Sequence, residues 1–184
     1  MDRRPYVPEP MIETERLILS PPTIDDFECS LAMHRHETMA RYTGGQLLGR
    51  EDVWRKLLQG IGHWTTYGYG IFVVRGKADG AFIGEVGLAH FRRGLGEAFE
   101  ASPEAAWMIE PTAHGRGYAK EAVERAHRWM SSEHAMSRSV CIVHPDNSGS
   151  IRVADSLGYE RIGQVSYRDA DPFMFERIAP IPAG

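Results

Sequence analysis

Two cysteines in 184 residues, Cys29 and Cys141, lie far apart, and neither has a CxxC partner. That excludes a disulfide framework and a thiolate zinc site, and it fits a reducing cytoplasm. Long apolar runs are missing as well. None approaches the ~20 residues that cross a bilayer, so no membrane partner is expected. Met1-Asp2-Arg3-Arg4-Pro5 is followed by charged and polar residues rather than an apolar stretch, so no secretion signal is read there and the expected location is cytoplasmic. Basic charge is in no excess, with 21 Lys and Arg against 25 Asp and Glu and a formal net charge of -4. Those totals give no nucleic-acid footprint. The 8 histidines do not make a metal centre either. His34-Arg35-His36 would point its two rings apart on a helix, and no Cys or carboxylate cluster completes a ligand set.

What is present suits one globular core. Hydrophobic residues make up 42% and charged residues 25%, an ordinary folded balance in a chain long enough for a single domain. Pro5, Pro8 and Pro10 mark residues 1–10 as an extended arm, and Pro180 and Pro182 mark 179–184 as a similar tail. Residues 11–178 are expected to form the domain, without linker, repeat or low-complexity stretch.

Within it, Arg16 to Ser20 reads as a first strand. Thr23 offers a helix cap with Asp26 three residues on, ahead of a stripe of Ile24, Phe27 and Leu31. Val53, Trp54, Leu57, Leu58 and Ile61 recur on one face of a helix expected from about Glu51 to Trp64. Tyr69–Val74 and Ala81–Leu88 read as a hairpin around Gly76 to Gly80. A third strand is expected at Glu104–Glu110, then a strongly amphipathic helix marked by Ala119, Ala122, Val123, Ala126 and Met130. A strand at Arg138–His144, a helix at Ser150–Leu157 closed by Gly158, and strands near Gly163–Tyr167 and Phe173–Arg177 complete the order. The fold class is α/β (α+β), a mixed sheet with helices on its faces. Trp54, Trp64 and Trp129 stand at helical positions and are expected in the core. Glu97, Glu100 and Asp169 read as solvated charges or as contacts for a cationic acceptor.

The most informative stretch joins the third strand to the strongest helix: Ile109-Glu110-Pro111-Thr112-Ala113-His114-Gly115-Arg116-Gly117-Tyr118-Ala119-Lys120. Gly115 and Gly117 let the backbone turn and approach a ligand with no Cβ in the way. Exposed N–H groups and the positive end of the helix dipole favour an anion such as a pyrophosphate, and Arg116 adds a charge. A P-loop needs Gly-Lys-Ser/Thr, and a dinucleotide fingerprint needs a third glycine. This loop has neither. The residues alone leave anion binding and a plain strand-to-helix connection both open.

The loop resembles the acyl-CoA pyrophosphate loop of the GNAT N-acetyltransferase superfamily, Gln/Arg-x-x-Gly-x-Gly/Ala, with His114 in place of the leading glutamine or arginine. Asn147-Ser148-Gly149-Ser150 through Leu157-Gly158-Tyr159 is similar to the Asn-x-x-Ala/Ser…Leu-Gly-Phe helix of the same family. Thr14-Glu15-Arg16-Leu17-Ile18-Leu19 resembles the first strand of its RimJ/RimL-like members, which acetylate N-termini of ribosomal proteins. The resemblance implies a mostly antiparallel sheet with a splayed strand pair that binds acyl-CoA.

It also implies acetyl-CoA as cosubstrate, with no metal. The cofactor-binding set would be His114, Gly115, Arg116, Gly117, Tyr118 and Ala119 at the diphosphate, and Trp107, Met108 and Ile109 along the pantetheine. A backbone N–H near Trp107 or Met108 would face the thioester carbonyl. Asn147 would hold the pantetheine arm; the plainer reading makes it a helix cap. Many members have a tyrosine acid where this chain has Ala154, and some have a glutamate base where it has Ile142. The RimL-like pattern instead implies Ser150 as a hydrogen-bond donor to the thiol. Glu104 is the candidate base, acting through a water. Plainer readings are a helix cap for Ser150 and a solvated edge carboxylate for Glu104. With no cysteine in either motif, direct attack of an amine on the thioester is expected. The preferred acceptor is a protein or peptide N-terminal amine. A small-molecule amine is the alternative acceptor, and a non-catalytic acyl-CoA-binding module is the alternative of a different class.

Overall fold

The computed structural model describes residues 9–42 and 47–179. Most of the expected arm (residues 1–8) and tail (180–184) lies outside the described residues. The elements run β1 (Ile12–Glu13), β2 (Leu17–Ser20), a 3-10 turn (Ile24–Asp26), α1 (Phe27–His34), α2 (Glu37–Ala40) and α3 (Arg50–Tyr67). They continue with β3 (Ile71–Gly76), β4 (Phe82–Ala89), α4 (Glu97–Glu100), β5 (Glu104–Ile109), a second 3-10 turn (Pro111–Ala113) and α5 (Tyr118–His134). The last are β6 (Arg138–Val143), α6 (Ser148–Ser156), β7 (Glu160–Gln164) and β8 (Phe173–Ile178).

The strands form one 8-stranded sheet in the order β1-β2-β3-β4-β5-β6-β8-β7. Every neighbour is antiparallel except β5 and β6, which are parallel. The connection between those two is α5, as a parallel crossover requires.

Register decides which side chains share a face. Successive residues alternate sides of a sheet, and directly paired residues share one. Val86 pairs with Trp107 and Leu88 with Ala105, and Cys141 pairs with Phe175. Much of this face packs with Ala122, Val123, Ala126, Trp129 and Met130 of α5 and Ala154 of α6 in the main core. The other face carries Glu85, Glu104, Ala106, Met108, Val140, Ile142, Met174 and Glu176. Helices α1 and α3 reach it through Ser30, His34 and Lys56, which surround the Glu85 carboxylate at 2.5, 3.3 and 2.6 Å. Burial pushes that carboxyl's pKa up, but Lys56 and His34 outweigh it and hold the group ionised far below the usual range.

The expected elements are present, with corrections. Thr23 and Asp26 form the capping box, and Gly158 takes the left-handed conformation at φ 79°. Ile24 and Leu58 do not face the core: they are 59% and 45% exposed, and Trp54 at 38% lies on the outer side of α3 against Phe27. The core side of α3 is Val53, Leu57 and Trp64. Its indole donates to the Ile71 carbonyl at 2.9 Å. Strand β7 begins at Glu160, three residues before the expected Gly163, because Leu157-Gly158 ends α6 in a tight turn and the chain pairs with β8 at once.

Below the parallel pair, His127, Ser139 and Tyr159 form a buried polar cluster, with Ser139 Oγ to Tyr159 Oη at 2.7 Å and His127 Nε2 to Tyr159 Oη at 3.0 Å. Burial, with Arg177 nearby, pushes the His127 pKa down to about 3, so its imidazole is neutral in the fold. The unfolded chain takes a proton near ~6.5 that the native state refuses, so stability is full above that pH and falls as pH drops towards 3. About 2 kcal/mol should be lost by pH 5 at ~1.36 kcal/mol per pH unit. Urea unfolding at pH 7.5 and 5 measures it, and His127→Gln should flatten that slope.

Candidate active site

Strands β5 and β6 start side by side and then part. They share one register pair, Glu104 with Val140, whereas β4–β5 and β6–β8 each hold six. Val140 N–H donates to the Pro103 carbonyl at 3.1 Å, so odd-numbered residues of β5 turn their backbone groups towards β6. Glu110 N–H donates to Ile83 at 2.8 Å on the opposite side, which fixes the same parity. Met108 therefore has its backbone N–H and C=O in the ladder with Glu85. Trp107 and Ile109 aim theirs into the opening.

This separates two residues that the sequence could not. The Trp107 N–H faces the gap and the Met108 N–H does not. The Ile109 carbonyl already has a partner, His114 Nε2 at 2.7 Å. His114 thus folds back to cap the end of β5, and the Trp107 N–H and C=O and the Ile109 N–H are left as the edge groups for a ligand.

The glycine loop follows. Gly115 and Gly117 sit at φ 74° and 78°, where only glycine is unstrained, and a Cβ on Gly115 would meet nothing within 4 Å. Gly117 is the N-cap of α5, so Tyr118 and Ala119 open its first turn at the positive end of a 17-residue helix. Arg116 is exposed. The loop is held from behind by the first strand. Arg16 donates to the Arg116 carbonyl at 3.0 Å and to Glu121 at 2.7 Å, and its guanidinium lies 4.6 Å from the Tyr118 ring centroid. Thr14 donates to Glu121 at 2.5 Å. Burial raises the Glu121 pKa, but Thr14 and Arg16 more than reverse this and lower it. In the sequence, Thr14-Glu15-Arg16 carries only a resemblance and the start of a strand. Its physical work, pinning the first turn of α5 through Glu121, had no local signal because the two segments lie about a hundred residues apart.

On the other bank, Asn147 caps α6: its Oδ1 accepts from Ser150 N–H at 3.0 Å. The cap leaves its amide N–H groups available. Ser150 Oγ accepts from the Trp107 indole N–H at 3.1 Å, a bond that crosses from β5 to α6. An indole nitrogen only donates, so the serine's own proton is not used in that contact.

Glu104 is not a solvated edge carboxylate. It is 6% exposed and held by Arg93 Nε at 2.9 and 3.1 Å. Arg93 also donates to Tyr167 Oη at 3.2 Å, which ties the β4–β5 connection to the β7–β8 hairpin. Burial raises the Glu104 pKa, and Arg93 opposes that. Arg93 and Tyr167 were missed by sequence reading. Arg93 lies in a segment without periodicity, Tyr167 reads only as the end of an expected strand, and only the fold brings them together. Ala154 and Ile142, where the resemblance would have placed a tyrosine and a glutamate, are fully buried and half-buried. Cys141, near the opening, is buried, and burial pushes its thiol pKa well up. No group of metal-ligating side chains occurs among the described residues, and no helix among them is long and apolar enough to cross a membrane.

The fold thus presents one parted parallel pair, a glycine turn at its mouth and a capped helix on the far bank. Residues 16–160 match the family model for the acetyltransferase (GNAT) domain, and the chain belongs to that family. Two relatives come from Bacillus subtilis (strain 168). The uncharacterized N-acetyltransferase YoaA is 26% identical over 172 residues, 89% of this chain and 92% of its own. The uncharacterized protein YkkB is 27% identical over 94 residues, and the match spans about half of each chain, 50% and 51%. Among solved structures, one from Bordetella pertussis, named as of the GnaT acetyltransferase family, superposes with TM-score 0.83 at 29% identity, covering 92% of this chain and 99% of that one. RimL, the ribosomal L7/L12 alpha-N-protein acetyltransferase solved with coenzyme A, has the same fold at TM-score 0.76 and 14% identity, covering 92% and 98%.

Proposed function

We propose that this protein transfers acetyl from acetyl-CoA to a protein or peptide N-terminal amine by direct attack. The observation that carries the reading is the parting of β5 from β6 after a single register pair, with the glycine turn at the open end. The loop N–H groups at 115–119 hold the diphosphate, and the pantetheine runs down the edge of β5 beside Asn147. The Trp107 N–H lies where negative charge develops on the thioester oxygen. A fixed donor there is worth on the order of 3 kcal/mol.

The cofactor enters from the face carrying α5 and α6, so the amine arrives from the face carrying Glu104. Its lone pair attacks the carbonyl carbon, the C–S bond breaks, and CoA leaves as thiolate. Glu104, through a water, takes the amine proton. Ser150 donates a hydrogen bond to the departing sulfur, its oxygen anchored by Trp107. No acyl-enzyme is formed, since Cys141 is buried with its thiol kept protonated. RimL, whose name gives an alpha-N-protein activity, supports this acceptor class.

The test is to mix the protein with acetyl-CoA and a panel of peptides and amines and follow free thiol. Thiol release that saturates with a peptide supports the proposal. Saturable CoA binding without thiol release for any acceptor would replace it with a non-catalytic CoA-binding module. Ser150→Ala should lower kcat by about 10–100-fold, the value of a hydrogen bond to a charged group, with CoA affinity little changed. Trp107→Phe, which keeps the ring and deletes the N–H, should lower kcat by less.

A further inference from the structure

The face of the sheet from which the amine arrives has an apolar floor. Register puts Ala106 and Met108 on the β5 bank of the opening, and Ile142 with its partner Met174 on the β6–β8 bank. All four are half-buried, neither sealed in the core nor free on the surface.

Around that floor, charge is balanced pair by pair. The carboxylates on this face of the four strands about the opening are Glu85, Glu104 and Glu176. Each has its own cation: Lys56 at 2.6 Å, Arg93 at 2.9 Å and Arg138 at 2.5 Å. A second ammonium on the acceptor would be desolvated there with no free carboxylate to meet it. An acidic group would find each of these three cations already taken. Either unpaired charge is costly to bury. A neutral apolar group beside the amine costs nothing of that kind and covers the floor, and two methionines give it room to adapt.

The hold on Glu104 selects the kind of amine. Burial raises the Glu104 pKa against the pull of Arg93, yet a carboxylate remains a far weaker base than either amine, so an α-amino group, with a pKa near ~8, is deprotonated far more readily than an alkylamine near ~10.4. We infer that the acceptor is a peptide or protein N-terminus whose first side chain is apolar and uncharged, rather than a polycation or a simple alkylamine. This rests on the transferase reading above and narrows it.

The experiment uses acetyl-CoA and peptides alike except at the first residue (Met, Leu, Asp or Arg), together with spermidine and amylamine, and follows thiol release. Met- and Leu-initial peptides should exceed the Asp- and Arg-initial ones by about tenfold or more in kcat/KM, the scale a hydrophobic pocket provides. Spermidine and amylamine should fall below both apolar peptides. Met174→Glu should shift preference towards the Arg-initial peptide and leave CoA affinity unchanged, and Met174→Gln, which adds no charge, should not produce that shift. If spermidine or the Arg- or Asp-initial peptide is the best acceptor, the apolar-neighbour inference is overturned and the transferase reading stands. Amylamine matching the Met-initial peptide overturns the peptide assignment. Thiol release with none of them, CoA still binding, overturns the transferase reading itself.

Discussion

Gly117→Asp should reduce CoA affinity by about two orders of magnitude, with a much smaller loss of stability. Two effects combine. At φ 78° a side chain adopts the left-handed region, which costs roughly 1–2 kcal/mol for an ordinary residue and less for Asp or Asn. The new carboxylate would also stand at the helix N-terminus where the diphosphate belongs, so two anions compete for one set of N–H donors. A Cβ here lies 3.6 Å from the Arg16 guanidinium, and the added charge would draw that arginine from the Arg116 carbonyl. Gly117→Asn separates the contributions, because it has the same shape and backbone demand without the charge. Isothermal titration with CoA should rank wild type above Asn, and Asn above Asp by about tenfold. Equal affinity in all three would show that the turn does not hold the diphosphate.

How far this site could be read in advance depended on how local its chemistry is. The glycine turn and the Asn147 cap are each encoded within a few residues, by backbone freedom and by a side chain returning to its own helix. They were legible. The parting of β5 and β6 is not local. Nothing in Glu104–Ile109 says that its pairing with Arg138–Val143 stops after one residue, and only register shows that Trp107 rather than Met108 faces the gap. Glu104 was legible as a chemical type, but its environment was not, since a strand-start glutamate can as well be exposed as buried. Its partner Arg93, itself held by Tyr167, lies in a connection that carries no period. The same holds for the Arg16–Glu121 clasp. On α3, hydrophobic period alone promoted Trp54 and Leu58, although the helix covers the sheet with a narrower stripe. Solvent-facing apolar residues are common enough that period cannot separate them from core.

Removing Arg93 is the sharpest probe of the base. In Arg93→Ala the Glu104 carboxylate would stay buried, 6% exposed, without its ion-pair partner, and breaking such a pair from one side costs about 3–5 kcal/mol. Burial already raises the Glu104 pKa, and Arg93 is what opposes it, so the variant's pKa should climb further. The sign of the pH dependence follows. A carboxyl whose folded pKa lies above its unfolded value favours the native state when protonated, so the stability is present below the unfolded pKa and lost as pH rises through the folded one. The melting temperatures of variant and wild type should therefore converge at low pH and separate near neutrality. If Glu104 is the base, the acid limb of kcat/KM against pH moves to higher pH in Arg93→Ala and returns part of the way in Arg93→Lys. A structural ion pair alone would lower stability and leave that limb in place, because the proton accepted from the amine would then go elsewhere.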